Sequence, residues 1–434
     1  MTHAPVPGLS ETTAVLCVLL ILLVPFAAAG LSLINAGLGR SRSAAHSMLS
    51  SLSILAVAVL IYFFCGFAWQ GFAAGPAHVV TVAGKQWNWI SAEPFFFRGL
   101  PPEGSPASLV ALLQMFSVGL AALIPLGAAT DRWRLGAACA STALMAGCTY
   151  PVFAHWVWGG GWLAQLGVNC GLGRGFLDAG GAGCIQAVGG LTAWSVACIL
   201  GPRRGKYGSD GTPAAIPGHN AVLVLLGCFL ALLGWFGLNC AGSILFAGVA
   251  PGAVAGVAID TILAAAMAAL TAAAITRARF GRPDASLCAN GFVGGLVASS
   301  AACAFVSPAA AAMTGLVAGA LVTFSVEWLD IHLGVDDPAG SISVHAISGI
   351  WGVLALGIFA RFPGDAGQFV AQLVGVATLL GFVLPLTYSL NWLLNRFYAQ
   401  RVAAEGERQG MDLYELGAGA YPEFVIHRED LTQG

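Results

Sequence analysis

Eleven apolar runs set the limits on what this chain can become. They fall at roughly 13–37, 46–68, 106–129, 134–156, 180–201, 220–242, 250–276, 284–304, 308–328, 338–361 and 368–396. A helix needs roughly 20 mostly apolar residues to cross the hydrocarbon core of a bilayer. Backbone polar groups find no water there, so each run must close its own hydrogen bonds as a helix. The charge content agrees: 9% of residues are Asp, Glu, Lys or Arg, against roughly 25% in an average globular chain. So few charges cannot clothe a soluble surface. The chain reads as an all-α, polytopic membrane protein with 11 transmembrane helices in the lipid bilayer of the cell (inner or plasma) membrane. Its 58 glycines suit helices that approach closely through small side chains.

Basic residues predict the orientation. With the N-terminus outside, the inner loops hold Arg40, Arg42, Arg132, Arg134, Arg203, Arg204, Lys206, Arg277, Arg279 and Arg282, and the segment after the last span adds Arg396, Arg401, Arg408 and Arg428. That is 14 of 18 basic residues; Lys85, Arg98, Arg174 and Arg361 fall on the other side. The positive-inside rule therefore predicts N-out and C-in. No Lys or Arg precedes the first run, so it is expected to stay as an uncleaved helix. The division is a membrane domain over 1–397 and a polar cytoplasmic tail over 398–434. Outer loops at 69–105 and 159–178 are long; the first carries Trp69, Trp87, Trp89 and the Phe95–Phe97 run, expected at the interface. The inner loop 202–219 is basic and turn-forming.

The net charge of −2 and the lack of a basic tract argue against nucleic acid. The eleven cysteines lie mostly in apolar runs as small hydrophobes, with Cys170 in a loop, and no Cys/His spacing suggests a metal. No Walker A, HExxH or GxSxG pattern occurs, so an enzyme and a bound cofactor are not expected.

Two stretches of the chain match each other. Asp178-Ala-Gly-Gly-Ala-Gly-Cys-Ile-Gln186-Ala-Val-Gly-Gly-Leu191 aligns without gaps on Asp337-Pro-Ala-Gly-Ser-Ile-Ser-Val-His345-Ala-Ile-Ser-Gly-Ile350. Asp178 pairs with Asp337, Gly181 with Gly340, Ala187 with Ala346 and Gly190 with Gly349. The first copy lies in the fifth run and the second in the tenth, so the two helices enter from opposite sides. That is an inverted five-helix repeat, approximately 13–201 and 220–361, followed by a last helix at 368–396. In such repeats the substrate path lies at the repeat interface near the midplane. Gln186 and His345 occupy equivalent positions there. An ionisable residue such as His345 is costly in an apolar helix and marks function by default.

Further segments carry a family resemblance. They are His155-Trp-Val-Trp-Gly-Gly-Gly161, Asp178 to Gln186, Gly234-Trp-Phe-Gly-Leu-Asn239 with Ala241-Gly-Ser243, Ala289-Asn-Gly-Phe-Val-Gly-Gly-Leu-Val297, Cys303-Ala-Phe-Val-Ser-Pro308, Asp336-Asp-Pro with Val344-His345, and Gly410 to Tyr421. In order and spacing the chain resembles the Amt/Mep/Rh ammonium transporters, Amt branch, over nearly its whole length. The resemblance implies a homotrimer with one hydrophobic pore per subunit, carrying ammonium or ammonia, with methylammonium as a candidate second substrate and a cytoplasmic PII-type regulator as a candidate partner. It implies recruitment by Trp158, Ser243 and Asp178 at the outer mouth, where an aromatic face offers a dehydrated cation about 2 kcal/mol. It places Asp336 and Asp337 at the inner vestibule, with helix capping as their main expected role.

This chain departs from the family at several pore-lining positions. Gln186 stands where the first of two histidines is usual. Counting from Gln114 to Asp131 puts Ser117, not Phe116, at the first aromatic gate. Leu238 falls at the second, an alignment that the extra Cys240 leaves ambiguous by one residue, with Phe236 close by. Asp260 sits mid-span in the seventh run, where the family more often has Asn, and needs a partner or water. A binding sensor that signals through a cytoplasmic partner is the alternative function.

Overall fold

A computed structural model of the chain describes residues 9–101, 105–360, 362 and 367–421. Arg361 and Arg428, used in the charge count, lie outside the described residues. Eleven helices among the described residues are long and apolar enough to cross a membrane. We label them α1 (Glu11–Leu38), α2 (Ser41–Gln70), α3 (Pro106–Ala129), α4 (Leu135–Trp158), α5 (Ala182–Leu200) and α6 (Ala221–Ala247). The rest are α7 (Pro251–Phe280), α8 (Ala285–Ala302), α9 (Pro308–His332), α10 (Ile342–Phe359) and α11 (Gln368–Phe397). Each coincides with one apolar run to within a few residues.

Several starts are written in the sequence. Ser105 and Ser307 each precede a proline at the first helical position, and each accepts a backbone N–H with its hydroxyl. Pro fits there because its missing N–H would have no partner, and Ser supplies the cap. Asn220 and Asp284 cap α6 and α8 in the same way. The chain is not helical throughout. The loop between α2 and α3 holds a hairpin of β1 (Ala77–Val82) and β2 (Lys85–Ser91), which turns at Ala83 and Gly84, both at positive φ. Two such residues match the right-handed twist of the flanking strands.

The repeat is visible as a pseudo-two-fold at the centre. α5 opens with a π-helical segment, Ala182–Ala187, and α10 with its equivalent, Ile342–Ile347. Gly181 (φ 94°) and Gly340 (φ 68°) stand before them in the left-handed region. The two helices cross closely. A Cβ on Gly190 would lie 2.2 Å from the Ala346 nitrogen; one on Gly349 would lie 2.5 Å from the Ala182 oxygen and 3.1 Å from the Ala187 nitrogen. Ala187 and Ala346 are themselves repeat equivalents, so each glycine admits the other half's segment.

Residues 398–421 do not trail away as the polar composition suggests. Arg401 bonds the Leu200 and Pro202 carbonyls and Glu407, and Glu407 accepts from the Arg204 N–H. Asp412 accepts from the N–H groups of Ala45 and His46 at the start of α2. Glu415 reaches His46 Nε2 at 2.8 Å and accepts from Leu135 N–H at the start of α4. Neither α2 nor α4 has a capping side chain of its own at these starts. The returning segment supplies both.

Candidate functional site

Where α5 and α10 cross, His345 Nδ1 lies 2.8 Å from Gln186 Oε1. Both residues are buried. The amide oxygen can only accept, so Nδ1–H donates; in the neutral ring Nε2 is then an acceptor. Gln186 Nε2 has no partner among the described residues. Two polar groups with unused hydrogen-bonding capacity thus meet inside an apolar bundle, as the alignment of the two repeats predicts.

Toward the expected outer end, Trp158 closes α4. Its indole N–H donates to the Asp178 carbonyl at 2.7 Å, and its ring stacks on Phe246 with centroids 4.6 Å apart. The Asp178 carboxylate is saturated: Oδ1 accepts from the N–H groups of Gly181 and Ala182, Oδ2 from those of Gly183 and Cys184, all at 2.8–2.9 Å. One side chain therefore answers four donors that open the α5 segment, which leaves it little capacity for direct contact with a cation. Ser243 is fully buried beside Cys303, 3.7 Å between Oγ and Sγ. A cavity of about 430 Å³ sits here, with Trp158, Phe246 and Ile244 in its wall. Ser243 lies behind that wall rather than in it.

The four remaining pore candidates diverge. Ser117 turns its hydroxyl back onto the Leu113 carbonyl at 2.8 Å, while Phe116 is half-buried. Leu238 is enclosed in the bundle and Phe236 is half-buried.

At the opposite end the two neighbouring acids do different things. Asp337 caps α10, accepting from Ser341 and Ile342 N–H at 2.9 and 2.7 Å. Burial pushes its carboxyl up to about 6, against the pull of those two bonds. Asp336 holds Arg203 instead, through Nε, Nη2 and the backbone N–H at 2.8–2.9 Å. Arg203 also reaches Asp131 at 3.2 Å, and Arg132 donates to the Asp336 carbonyl at 2.8 Å. Burial would raise the Asp336 carboxyl, but the hydrogen bonds and charges of Arg203 and Arg132 hold it below the ordinary range. Burial draws the Arg132 guanidinium down to about 10, still charged at neutral pH. Both acids line a cavity of about 410 Å³ with Arg203, Lys206 and Asn290.

Asp260, expected to need a partner, leaves Oδ1 buried without one among the described residues. The Arg132–Arg203–Asp131 cluster and Glu93, which lines the cavity at Trp158, went unremarked in the sequence. The basic members had counted only toward orientation, and an acid in a long loop is by default solvated.

The model of the Ammonium Transporter Family matches residues 15–421. Ammonium transporter Amt2 of Archaeoglobus fulgidus is 36% identical over 433 residues, covering 94% of this chain and 88% of that one. The ammonium transporter of Bacillus subtilis is 31% identical, covering 93% and 96%. A solved structure described as a sensor Amt protein aligns with a TM-score of 0.83 at 29% identity, over 93% of this chain and 97% of the other. The crystal structure of Saccharomyces cerevisiae Mep2 gives a TM-score of 0.77 at 24% identity over 92% and 91%, a likeness of fold.

Proposed function

The chain belongs to the ammonium transporter family, and from that premise we propose that it carries ammonium or ammonia along a path from Trp158, between Gln186 and His345, to the cavity at Asp336. The observation that carries this reading is the 2.8 Å contact between Gln186 and His345 at the crossing of the two repeats. It supports the reading because polar groups meet there inside an otherwise apolar bundle.

The steps follow from the groups available. A cation arriving at Trp158 exchanges water for an aromatic face, worth about 2 kcal/mol when desolvated. Phe246 covers one face of the indole, so the cation uses the other. Asp178 holds the opening of α5 and presents its carbonyl to Trp158; its carboxylate acts on the cation at a distance. At the midplane a pair of histidines could pass a proton between rings. Gln186 does not titrate near neutral pH, so His345 is the single titratable group of the pair and a two-histidine relay does not operate. Phe116 or Ser117, and Leu238 or Phe236, line the path above it. Asp336 and Asp337 shape the inner mouth through the arginine cluster and the α10 cap.

The wider setting is part of the same proposal: N-out and C-in in the inner or plasma membrane, a homotrimer with one path per subunit, methylammonium as a second substrate, and a PII-type regulator meeting the tail and the 202–219 loop.

Ammonium-evoked current in proteoliposomes, read on a solid-supported membrane, tests the path. Gln186→His is expected to raise the current and strengthen rejection of K⁺. Equal current and equal K⁺ rejection in both proteins would remove Gln186 from the mechanism. Ammonium binding with no current in the native chain would favour the sensor.

A further inference from the structure

The outer cavity has one acid in its wall among the described residues. Glu93 follows β2 and turns in beside the Phe72–Ala74 loop, which shares the wall with Trp158. Its position is fixed. Its backbone N–H donates to Ser91 Oγ at 3.2 Å, and the Ala92 N–H next to it bonds the Pro76 carbonyl. A Cβ on Gly75 would stand 2.5 Å from Glu93 Oε1, so the glycine admits the carboxyl.

One oxygen of that carboxyl is unanswered. Oε1 is buried and has no hydrogen-bond partner among the described residues. Among the described residues, no Lys, Arg or His lines the cavity. Burial raises the Glu93 carboxyl above its ordinary value, as expected for an acid with no cation beside it. Asp178, by contrast, has every carboxylate lone pair engaged by the four amides of α5. The negative charge free to meet an arriving cation is therefore on Glu93. The cavity, at about 430 Å³, has room for a cation and several waters, each of which occupies roughly 30 Å³ in the liquid.

We propose that Glu93, opposite Trp158, forms an outer docking position for a hydrated monovalent cation, ammonium in transport, filled before the cation sheds its water at the indole. This rests on the transport reading above. Attraction here is by charge and not by fit, so the position concentrates monovalent cations and leaves discrimination to the steps that follow.

The test titrates ammonium-evoked current of the full chain in proteoliposomes for native, Glu93→Gln and Glu93→Asp. Glu93→Gln is expected to raise the half-saturating ammonium concentration by roughly five-fold, the size of one partly solvated charge pair, with saturating current unchanged. Glu93→Asp keeps the charge and returns half-saturation toward the native value, which a purely structural role would not do. Raising ionic strength with N-methylglucamine chloride weakens half-saturation in the native chain and leaves Glu93→Gln unmoved, because the Debye length shrinks to about 10 Å at 0.1 M. Identical half-saturation and salt response in native and Glu93→Gln would overturn the proposal. If the native chain passes no current, the transport reading fails separately. The docking position is then judged by thallium(I) in crystals: a peak between Glu93 and Trp158 that Glu93→Gln lacks supports it, and no peak or equal peaks overturn it.

Discussion

Three buried aspartates separate by what surrounds them. Asp178 serves four amides with two oxygens. Asp178→Asn leaves one acceptor oxygen, so at least two N–H groups lose their partner at about 1–3 kcal/mol each. We expect a marked fall in thermal unfolding temperature in detergent. Asp260 is the opposite case, a buried oxygen with nothing to lose. Asp260→Asn is expected to leave unfolding unchanged or to raise its temperature; a large fall would reveal a partner. Asp336 stands between two buried arginines. Asp336→Asn leaves Arg132 without its carboxylate partner and Arg203 with Asp131 alone, and is expected to cost about 3–5 kcal/mol. Its folded carboxyl lies below the ordinary range, so its contribution is complete above the unfolded value. It is lost as pH falls through the lower folded value, below about pH 4. Thermal unfolding followed from pH 7 into acid should show a decline that Asp336→Asn lacks.

At the scale of elements, glycine decides whether the path closes. Gly190 and Gly349 each lie against backbone of the opposite repeat, which cannot yield as a flexible side chain would. Gly190→Ala and Gly349→Ala are each expected to cost about 1–3 kcal/mol or more and to abolish current by parting Gln186 from His345. Native-like current in either would contradict the crossing. Much of this level was legible in the sequence. Apolar length located all eleven helices to within a few residues. The repeat alignment named Asp178/Asp337, Gly181/Gly340 and Gln186/His345, and all three pairs take equivalent places. What escaped has physical causes. The hairpin's alternation (His78-Val-Val-Thr-Val82, then Ala83-Gly84) was masked by aromatic residues that read equally well as interfacial. A π segment has no residue signature, since it arises from one additional residue per turn. Glu93 was invisible because only the cavity distinguishes it from a solvated loop acid.

Across the whole molecule, the end of the chain finishes helices begun hundreds of residues earlier. Asp412 and Glu415 close the starts of α2 and α4. Asp412→Ala is expected to cost about 1 kcal/mol, as loss of a cap does. Removal of residues 399–434 should lower the unfolding temperature further, because Glu407 and Arg401 go with it. An unchanged temperature would make the returning segment a bystander. The central pseudo-two-fold has a different consequence. A frame whose halves interchange by rotation cannot by itself tell one direction of flow from the other. At the midplane of the proposed path the hydrogen-bonded pair breaks that equivalence, with Gln186 in one half and His345 in the other. Rectification arising there is a property of the pair and not of the scaffold. Exchanging them, Gln186→His with His345→Gln, should keep the hydrogen bond and reverse the sense in which inward and outward currents differ in oriented vesicles.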